Sequence, residues 1–208
     1  LLSIAFLGSC ISAAFDLRAY LRRRRRYGLM KNPVKDGYVI VNFPEIETLR
    51  EFIREVRAVE KDVGVCIVDQ GLEELPPSVS MLGNVHFVRA SPLSFETYDQ
   101  AALRDNKAVI VFPSNPSSPH ADATTKTIVD LVLEYVQGKA RVIYLLVRAE
   151  NAWMFDPRAT GIWQRIEALA LVQECQDPRS ALIVQRLLKN SEGANPRTVT
   201  PRRIVGWS

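Results

Sequence analysis

The sequence predicts an α/β fold: a Rossmann-like, doubly wound parallel sheet with strand order 3-2-1-4-5-6, preceded by a truncated transmembrane helix. From residue 37 onward, short runs rich in β-branched residues alternate with stretches of helical period, which is typical of strands joined by helical crossovers. Six such runs make two halves, and two-halved sheets of this kind have that strand order. An uncharged apolar segment followed by arginines precedes them, which indicates the end of a membrane helix.

The apolar segment, residues 1–15, contains no charged residue. Its 15 residues are fewer than the roughly 20 that span a bilayer, and because no initiator Met is present, we expect the span to begin upstream. A secretory signal peptide carries its positive charge before the apolar core, whereas here the charge follows it. The segment is therefore interpreted as the inner end of a membrane helix.

A run of five arginines forms a basic collar after this segment: Arg22, Arg23, Arg24, Arg25 and Arg26. By the positive-inside rule, everything after the collar is expected in the cytoplasm. We expect residues 1–21 to be the C-terminal part of a transmembrane helix in the inner membrane and residues 22–36 to be a basic juxtamembrane linker. The alternative is a buried or amphipathic helix with a solvated basic face.

The body is predicted to occupy residues 37–190, followed by a linker or tail at residues 191–208. Strands are predicted at residues 37–43, 63–69, 84–89, 107–112, 141–147 and 168–174. Helices are predicted at residues 44–56, 94–103, 121–136 and 177–188, and the stretch 151–166 is interpreted as a broken helix. The whole body is expected to form one domain.

Charge is distributed unevenly along the chain. Residues 1–35 carry a net charge of +7 and residues 36–190 carry −5, within a total of +4. Nucleic-acid-binding domains have a basic patch on the folded body, so the acidic body argues against a nucleic-acid partner. The three cysteines form no C-x-x-C pair, and neither of the two histidines has a partner at metal-ligand spacing. We therefore predict a reduced cytosolic setting and no metal site.

In a doubly wound fold, ligands bind at the carboxyl ends of the strands, between strands one and four. The candidate ligand-binding residues there are Asn42, Phe43, Pro44, Glu45, Asp69, Ser91 and Pro92. Tight pyrophosphate binding needs glycines after the first strand, but this chain has Asn-Phe-Pro-Glu. Glu45 and Glu47 also place negative charge in the first helical turn, where it repels phosphate. The cofactor is thus unknown, and a nucleotide without tight pyrophosphate contact remains an option.

Asp69 ends the second predicted strand, where a carboxylate accepts hydrogen bonds from ribose in this fold. The alternative is that Asp69 is a turn residue, which is the commoner role of an aspartate at a strand end. The sequence contains no G-x-S-x-G elbow, H-E-x-x-H or phosphate loop. We therefore predict no catalytic residues and no enzymatic activity.

The order of these features resembles the RCK (KTN/TrkA-N) regulatory domains of ligand-gated potassium channels. In that family the pore-lining inner helix leads through a short linker into the first strand, and residues 27–30 and 36–41 occupy those places. The stretch 87–103 (FVRASPLSFETYDQAAL) resembles the family's G-D-P-T/S…L…A segment, and residues 107–111 (KAVIV) resemble its A-x-A-V-I-V strand. The resemblance covers nearly the whole chain.

Two departures from the family pattern affect the expected ligand. Asn42 replaces the glycine of the first loop, and Ala90-Ser91 replace the family's Gly-Asp. Calcium-gated members have carboxylates at positions that correspond here to Phe112, Leu145 and Val147. A hard cation needs several oxygen ligands, so that calcium site is expected to be absent.

The resemblance implies a cytosolic gating-ring domain that couples ligand binding or subunit rearrangement to the pore-lining helix. It also implies a homotetramer with paired lobes and potassium passing through an upstream pore. The arginine collar then serves as the gating linker and contacts anionic membrane lipid. Two alternatives remain open: a membrane-anchored NAD(P)- or nucleotide-dependent enzyme, and a non-catalytic interaction module that binds no ligand.

Overall fold

The computed structural model describes residues 2–163 together with Cys175 and Ile183. Its centre is a six-stranded parallel sheet with the order β3-β2-β1-β4-β5-β6. The strands are β1 Tyr38–Val41, β2 Val65–Val68, β3 Val85–Val88, β4 Ala108–Val111, β5 Arg141–Leu146 and β6 Thr160–Trp163. The predicted Rossmann-like parallel sheet and its strand order are confirmed.

Both faces of the sheet are covered, as the apolar sequences of its strands require. The helices are α1 Leu2–Arg26, α2 Ile46–Val59, α3 Pro77–Ser80, α4 Phe95–Gln100 and α5 Ala121–Val136, with 3-10 turns at Leu103–Asp105 and Ala149–Met154. On β1, Val39 and Val41 pack in the core cluster that contains α5, whereas Ile40 packs in the cluster that contains α2. The alternation of side chains along a strand thus divides the core into two layers.

The sixth strand of the sheet lies in the stretch 151–166, for which the sequence predicts a broken helix. It spans Thr160–Trp163 and pairs with β5. Gly161 interrupts the strand pattern, but a Cβ there would lie 2.7 Å from the hydroxyl oxygen of Tyr144. The missing side chain leaves room for Tyr144, which stacks on Phe155 with ring centroids 4.0 Å apart. The predicted strand at 168–174, helix at 177–188 and tail at 191–208 lie outside the described residues, apart from Cys175 and Ile183.

Helix α1 continues through all five arginines of the basic collar, which the sequence analysis assigned to the start of a linker. Good helix formers fill its last turns. The helix ends in a Schellman motif, in which Leu29 N–H donates to Arg24 O at 3.0 Å and Gly28 N–H donates to Arg25 O at 3.1 Å. Among the residues that the structure describes, no helix is both long and apolar enough to cross a membrane.

Candidate functional site

The strand-end crevice consists of the seven candidate residues at and near the carboxyl ends of β1, β2 and β3. Asn42 follows β1 with φ +64°, a left-handed conformation that asparagine tolerates better than most residues. Its N–H donates to Val68 O at 2.8 Å, and its side-chain Nδ2 donates to Phe112 O at 2.6 Å. Asn42 therefore ties β1 to the ends of both neighbouring strands, β2 and β4.

Asp69 lies directly after β2, and both of its carboxylate oxygens accept backbone hydrogen bonds. Oδ2 accepts from Phe43 N–H at 2.7 Å, while Oδ1 accepts from Gly71 N–H at 2.7 Å and Leu72 N–H at 2.8 Å. These contacts close the turn after β2 and join it to the loop after β1. The observed geometry is turn chemistry, one of the two roles left open for Asp69 by the sequence.

Helix α2 begins beside this crevice and presents carboxylates at its start. Pro44 is buried, whereas Glu45 is exposed and precedes the first helical residue without forming a side-chain cap. Glu47, in the first turn, pairs with Arg50 at 3.2 Å. A helix N-terminus attracts anions, but here Glu45 and Glu47 place negative charge at the start of α2, which opposes phosphate binding.

Ser91 and Pro92 form the turn between β3 and α4. Ser91 O accepts a hydrogen bond from the Thr97 hydroxyl at 2.7 Å, and Pro92 O accepts one from the Tyr98 hydroxyl. Burial raises the pKa of the Tyr98 hydroxyl, so this hydrogen bond keeps its donor proton. Asn42 and Asp69 are thus hydrogen-bonded to neighbouring loops of the crevice. Ser91 and Pro92 are hydrogen-bonded to α4.

The carboxyl end of β5 is organised by Asp122, which sequence reasoning missed. This carboxylate is 4% exposed and accepts hydrogen bonds from Val147 N–H at 2.9 Å, Arg148 N–H at 3.1 Å and Asn151 Nδ2 at 2.7 Å. These three hydrogen bonds hold the segment after β5 against the start of α5. Within the described part of the chain, no group of three or more His, Cys, Asp or Glu side chains could hold a metal ion.

A second region of functional interest is the joint, residues 27–37, which connects α1 to β1. Gly28 has φ +68°, and a Cβ at this position would lie 2.5 Å from Arg89 N. This close approach allows Arg89 N–H to donate to Gly28 O at 3.0 Å, and it places Leu29 in an antiparallel bridge with Val88. The joint is thus attached to the edge of β3.

Two buried asparagines fix the rest of the joint. Asn32 is 5% exposed, its N–H donates to Gln100 O at 2.9 Å, and its Nδ2 donates to Ala101 O at 2.8 Å. Asn106 is 3% exposed and accepts from Gly37 N–H at 3.1 Å. Hydrogen bonds to buried groups are costly to break, so these contacts make the joint a fixed part of the body.

No family model and no curated protein sequence matches this chain. Solved structures do match. The human SLO3 gating ring aligns with 81% of this chain at 14% identity and a TM-score of 0.58. The TrkA-N domain of the inner membrane protein ybaL from Escherichia coli aligns with 70% of this chain at 13% identity and a TM-score of 0.51. The chain has the fold of an RCK regulatory domain.

The extent of these matches differs. The chain covers 99% of the ybaL TrkA-N domain but 31% of the SLO3 gating ring. It also covers 28% of the GsuK channel bound to NAD, with 12% identity and a TM-score of 0.55. At these identities the likeness concerns the fold, and the chain corresponds to about a third of the SLO3 and GsuK chains.

Proposed function

We propose that this chain is the cytosolic regulatory part of a potassium channel and that its body acts on the pore through α1. The observation that carries the proposal is the fixed joint between α1 and β1. Gly28, Asn32 and Asn106 join this connection to β3, to α4 and to the loop before β4 through backbone and side-chain hydrogen bonds. A rearrangement of the body would therefore move the end of α1 directly.

The proposed mechanism requires two arrangements of the body that differ in affinity for an effector. In this scheme the effector, or a rearrangement of neighbouring subunits, selects one arrangement, and the joint passes the displacement to α1. Support comes from the shared fold with the SLO3 gating ring and the GsuK RCK domain. We further propose that four identical subunits assemble into a ring below an upstream potassium pore.

The proposal assigns residues 1–21 to the end of the pore-lining helix and the basic collar to the inner membrane surface. The charge distribution supports this assignment, because residues 1–35 carry a net charge of +7 next to an uncharged segment. Arginines near an anionic leaflet contribute about 1 kcal/mol each to binding. The body then lies in the cytoplasm, on the positive-inside rule.

The effector is proposed to be a small molecule, and a nucleotide is one candidate because GsuK is described as bound to NAD and as bound to ADP. In the strand-end crevice, the Asn42 side chain already donates to Phe112 O, and Asp69 already accepts from Phe43 N–H. An effector there would have to bind beside these contacts and beside Glu45, with Ser91 and Pro92 at the edge of the site. This ligand role of the crevice residues remains a proposal.

The test is potassium flux through proteoliposomes that contain the complete gene product. We expect conduction that depends on the effector, and we expect Asn32→Ala to weaken this dependence while the pore still conducts. Asn151→Ala serves as the control, because Asn151 donates its side-chain hydrogen bond to Asp122 Oδ2, outside the joint. A gene product without a potassium filter, or one that turns over NAD(P) instead, would refute the channel and favour the enzyme alternative.

A further inference from the structure

A cavity of about 700 Å³ lies between the last turns of α1 and the edge strand β3. We call it the α1–β3 groove. Its walls include Arg22, Arg25, Arg26 and Lys31 on one side and His86 and Phe87 of β3 on the other. Its volume falls within the range of about 300–1,000 Å³ that is usual for small-molecule sites. The groove is separate from the strand-end crevice, with which it shares no lining residue.

The groove divides the basic collar into two sets of arginines. Arg22, Arg25 and Arg26 line it, and their spacing of three and four residues places them on one face of the helix. Arg23 and Arg24 do not line the groove: the Arg23 guanidinium lies over Tyr27, and that of Arg24 lies over Tyr20. The collar is therefore not a uniform ring of charge.

Most of the positive charge in the groove has no carboxylate partner. Arg26 pairs with Glu74 at 2.9 Å. Among the described residues, no carboxylate forms an ion pair with Arg22, Arg25 or Lys31. Like charges held together in a concave site raise the local affinity for anions.

The positive charge of the groove also acts on His86, a residue of its β3 wall. Burial and the nearby Arg25 guanidinium lower the pKa of His86 below its ordinary value. The imidazole is half-buried at the groove wall, so a bound anion would lie close enough to reverse the effect of Arg25. A change in the pKa of His86 would therefore report the binding of an anion in the groove.

The remaining walls are largely apolar: they include Met30, Leu75 and Val85, and their polar members are Ser80 and Asn84. A site with cations on one wall and apolar side chains on the other fits an organic molecule that carries phosphate. Arginine binds phosphate through paired, charge-assisted hydrogen bonds, and the apolar wall accepts a ring or chain. The strand-end crevice has the opposite character, since Glu45 and Glu47 stand at its helix N-terminus.

We propose that the α1–β3 groove binds a soluble phosphate-bearing organic molecule of nucleotide size, with its phosphate on Arg22, Arg25 and Lys31. Such a ligand contacts α1 and β3 at once, beside the place where the joint is attached to β3. Bound ligand would hold the end of α1 against the body. This regulatory consequence rests on the proposed function, whereas the binding itself does not.

Calorimetry with the complete chain tests the binding, using ATP and inorganic pyrophosphate as probes at fixed salt. The key variant is Arg22→Gln with Arg25→Gln, and its matched control is Arg23→Gln with Arg24→Gln. Both double variants remove the same charge from the same helical turns, so they differ in the face that is changed. We expect the first pair to weaken ATP binding about tenfold or more and the second pair to change it less than about threefold.

Titration of His86 by NMR gives a second readout. We expect saturating ATP to raise the pKa of His86, because phosphate offsets the Arg25 charge. No ATP binding, equal losses in the two double variants, or an unchanged His86 would each overturn the proposal.

Vesicles of phosphatidylglycerol distinguish a membrane headgroup from a soluble ligand. Binding to these vesicles without binding to ATP or pyrophosphate would also overturn the proposal. If the groove binds no ligand, the proposed function can still be tested on its own, by measuring potassium flux and the effect of Asn32→Ala on it. Thermal unfolding of both double variants shows that each is folded before affinities are compared.

Discussion

The strand-end crevice and the α1–β3 groove differ in whether their polar groups already have partners. In the crevice, Asp69 accepts hydrogen bonds from three backbone N–H groups and Asn42 donates to Phe112 O. In the groove, Arg25 and Lys31 have no carboxylate partner within the described residues. A polar residue at the expected place in a fold can thus be part of the scaffold, whereas the proposed ligand of the groove depends on charges that have no partner there.

The comparison also bears on the joint, because the groove is built on it. Gly28 and Leu29 attach the joint to β3, and the groove opens beside them. Four changes test how far the two regions differ, beginning with the joint.

Gly28→Ala is expected to have the largest effect. The left-handed conformation costs an alanine about 1–2 kcal/mol, and the overlap with Arg89 N adds about 1–3 kcal/mol. We expect urea unfolding to show a total loss of about 2–5 kcal/mol. Gly138→Ala is the matched control, since Gly138 has φ +80° and no atom within 4 Å of a built Cβ. Equal losses in the two variants would show that the close packing of the joint contributes nothing.

Asp69→Ala tests whether the crevice carboxylate is structural. It leaves the N–H groups of Phe43, Gly71 and Leu72 without their acceptor, which is expected to cost about 1–3 kcal/mol in urea unfolding. Asp69→Asn keeps one acceptor oxygen and is expected to cost less. If the free energy of unfolding is unchanged in both variants but ATP binding is lost, the crevice is the ligand site and the comparison is reversed.

Asn42 separates backbone conformation from hydrogen bonding. Asn42→Gly keeps the left-handed conformation and loses the bond to Phe112 O, so we expect a loss of about 1 kcal/mol or less. Asn42→Ala also strains the backbone and is expected to lose about 1 kcal/mol more. Calorimetry of Asn42→Gly with NAD is expected to show no gain in affinity, because Glu45 and Glu47 remain at the helix start. Tight NAD binding by this variant would contradict our account of the crevice.

The smallest effect concerns His86 and pH. Its pKa in the folded chain lies below the ordinary value of 6.5, so the unfolded chain binds more protons as the pH falls through that value. Stability is therefore expected to be full above pH 6.5 and to decline below it, until the folded histidine also becomes protonated. Unfolding of the wild type and His86→Gln at several pH values measures this effect: the stability of the wild type relative to the variant should stay constant above pH 6.5 and fall as the pH falls through that value. A relative stability of the wild type that rises as the pH falls would contradict the sign.

The sheet could be predicted from sequence because its strands are apolar on both faces and are separated by regular crossovers. The sixth strand could not be predicted, because Gly161 weakens the β-strand pattern of its sequence. A glycine is needed at this position because Tyr144 lies against it, and this contact is visible only in the folded chain. The role of Asp69 remained open at the sequence level because a turn residue and a ribose ligand occupy the same position. Its three backbone donors become visible only in the folded chain.

The joint and the groove were harder still to predict. Asn32 and Asn106 occur in polar stretches that are typical of surface loops, yet both are buried. Their partners lie 69 residues away along the chain, so no local pattern reveals them. The five arginines were recognised as a group, but their division between two faces depends on the helix continuing to Arg26.

Hydrogen exchange at the joint tests the central claim most directly, namely that α1 is fixed to the body. In the complete chain, the amides of Asn32 and Asp36 donate to Gln100 O and Asp105 O at 2.9 and 2.8 Å, and that of Gly37 donates to Asn106. We expect these amides to exchange as slowly as those of β1 and to be released together in Asn32→Ala. Exchange in the wild type at the rate of an exposed loop would contradict a fixed joint, and with it the proposed coupling of the body to α1.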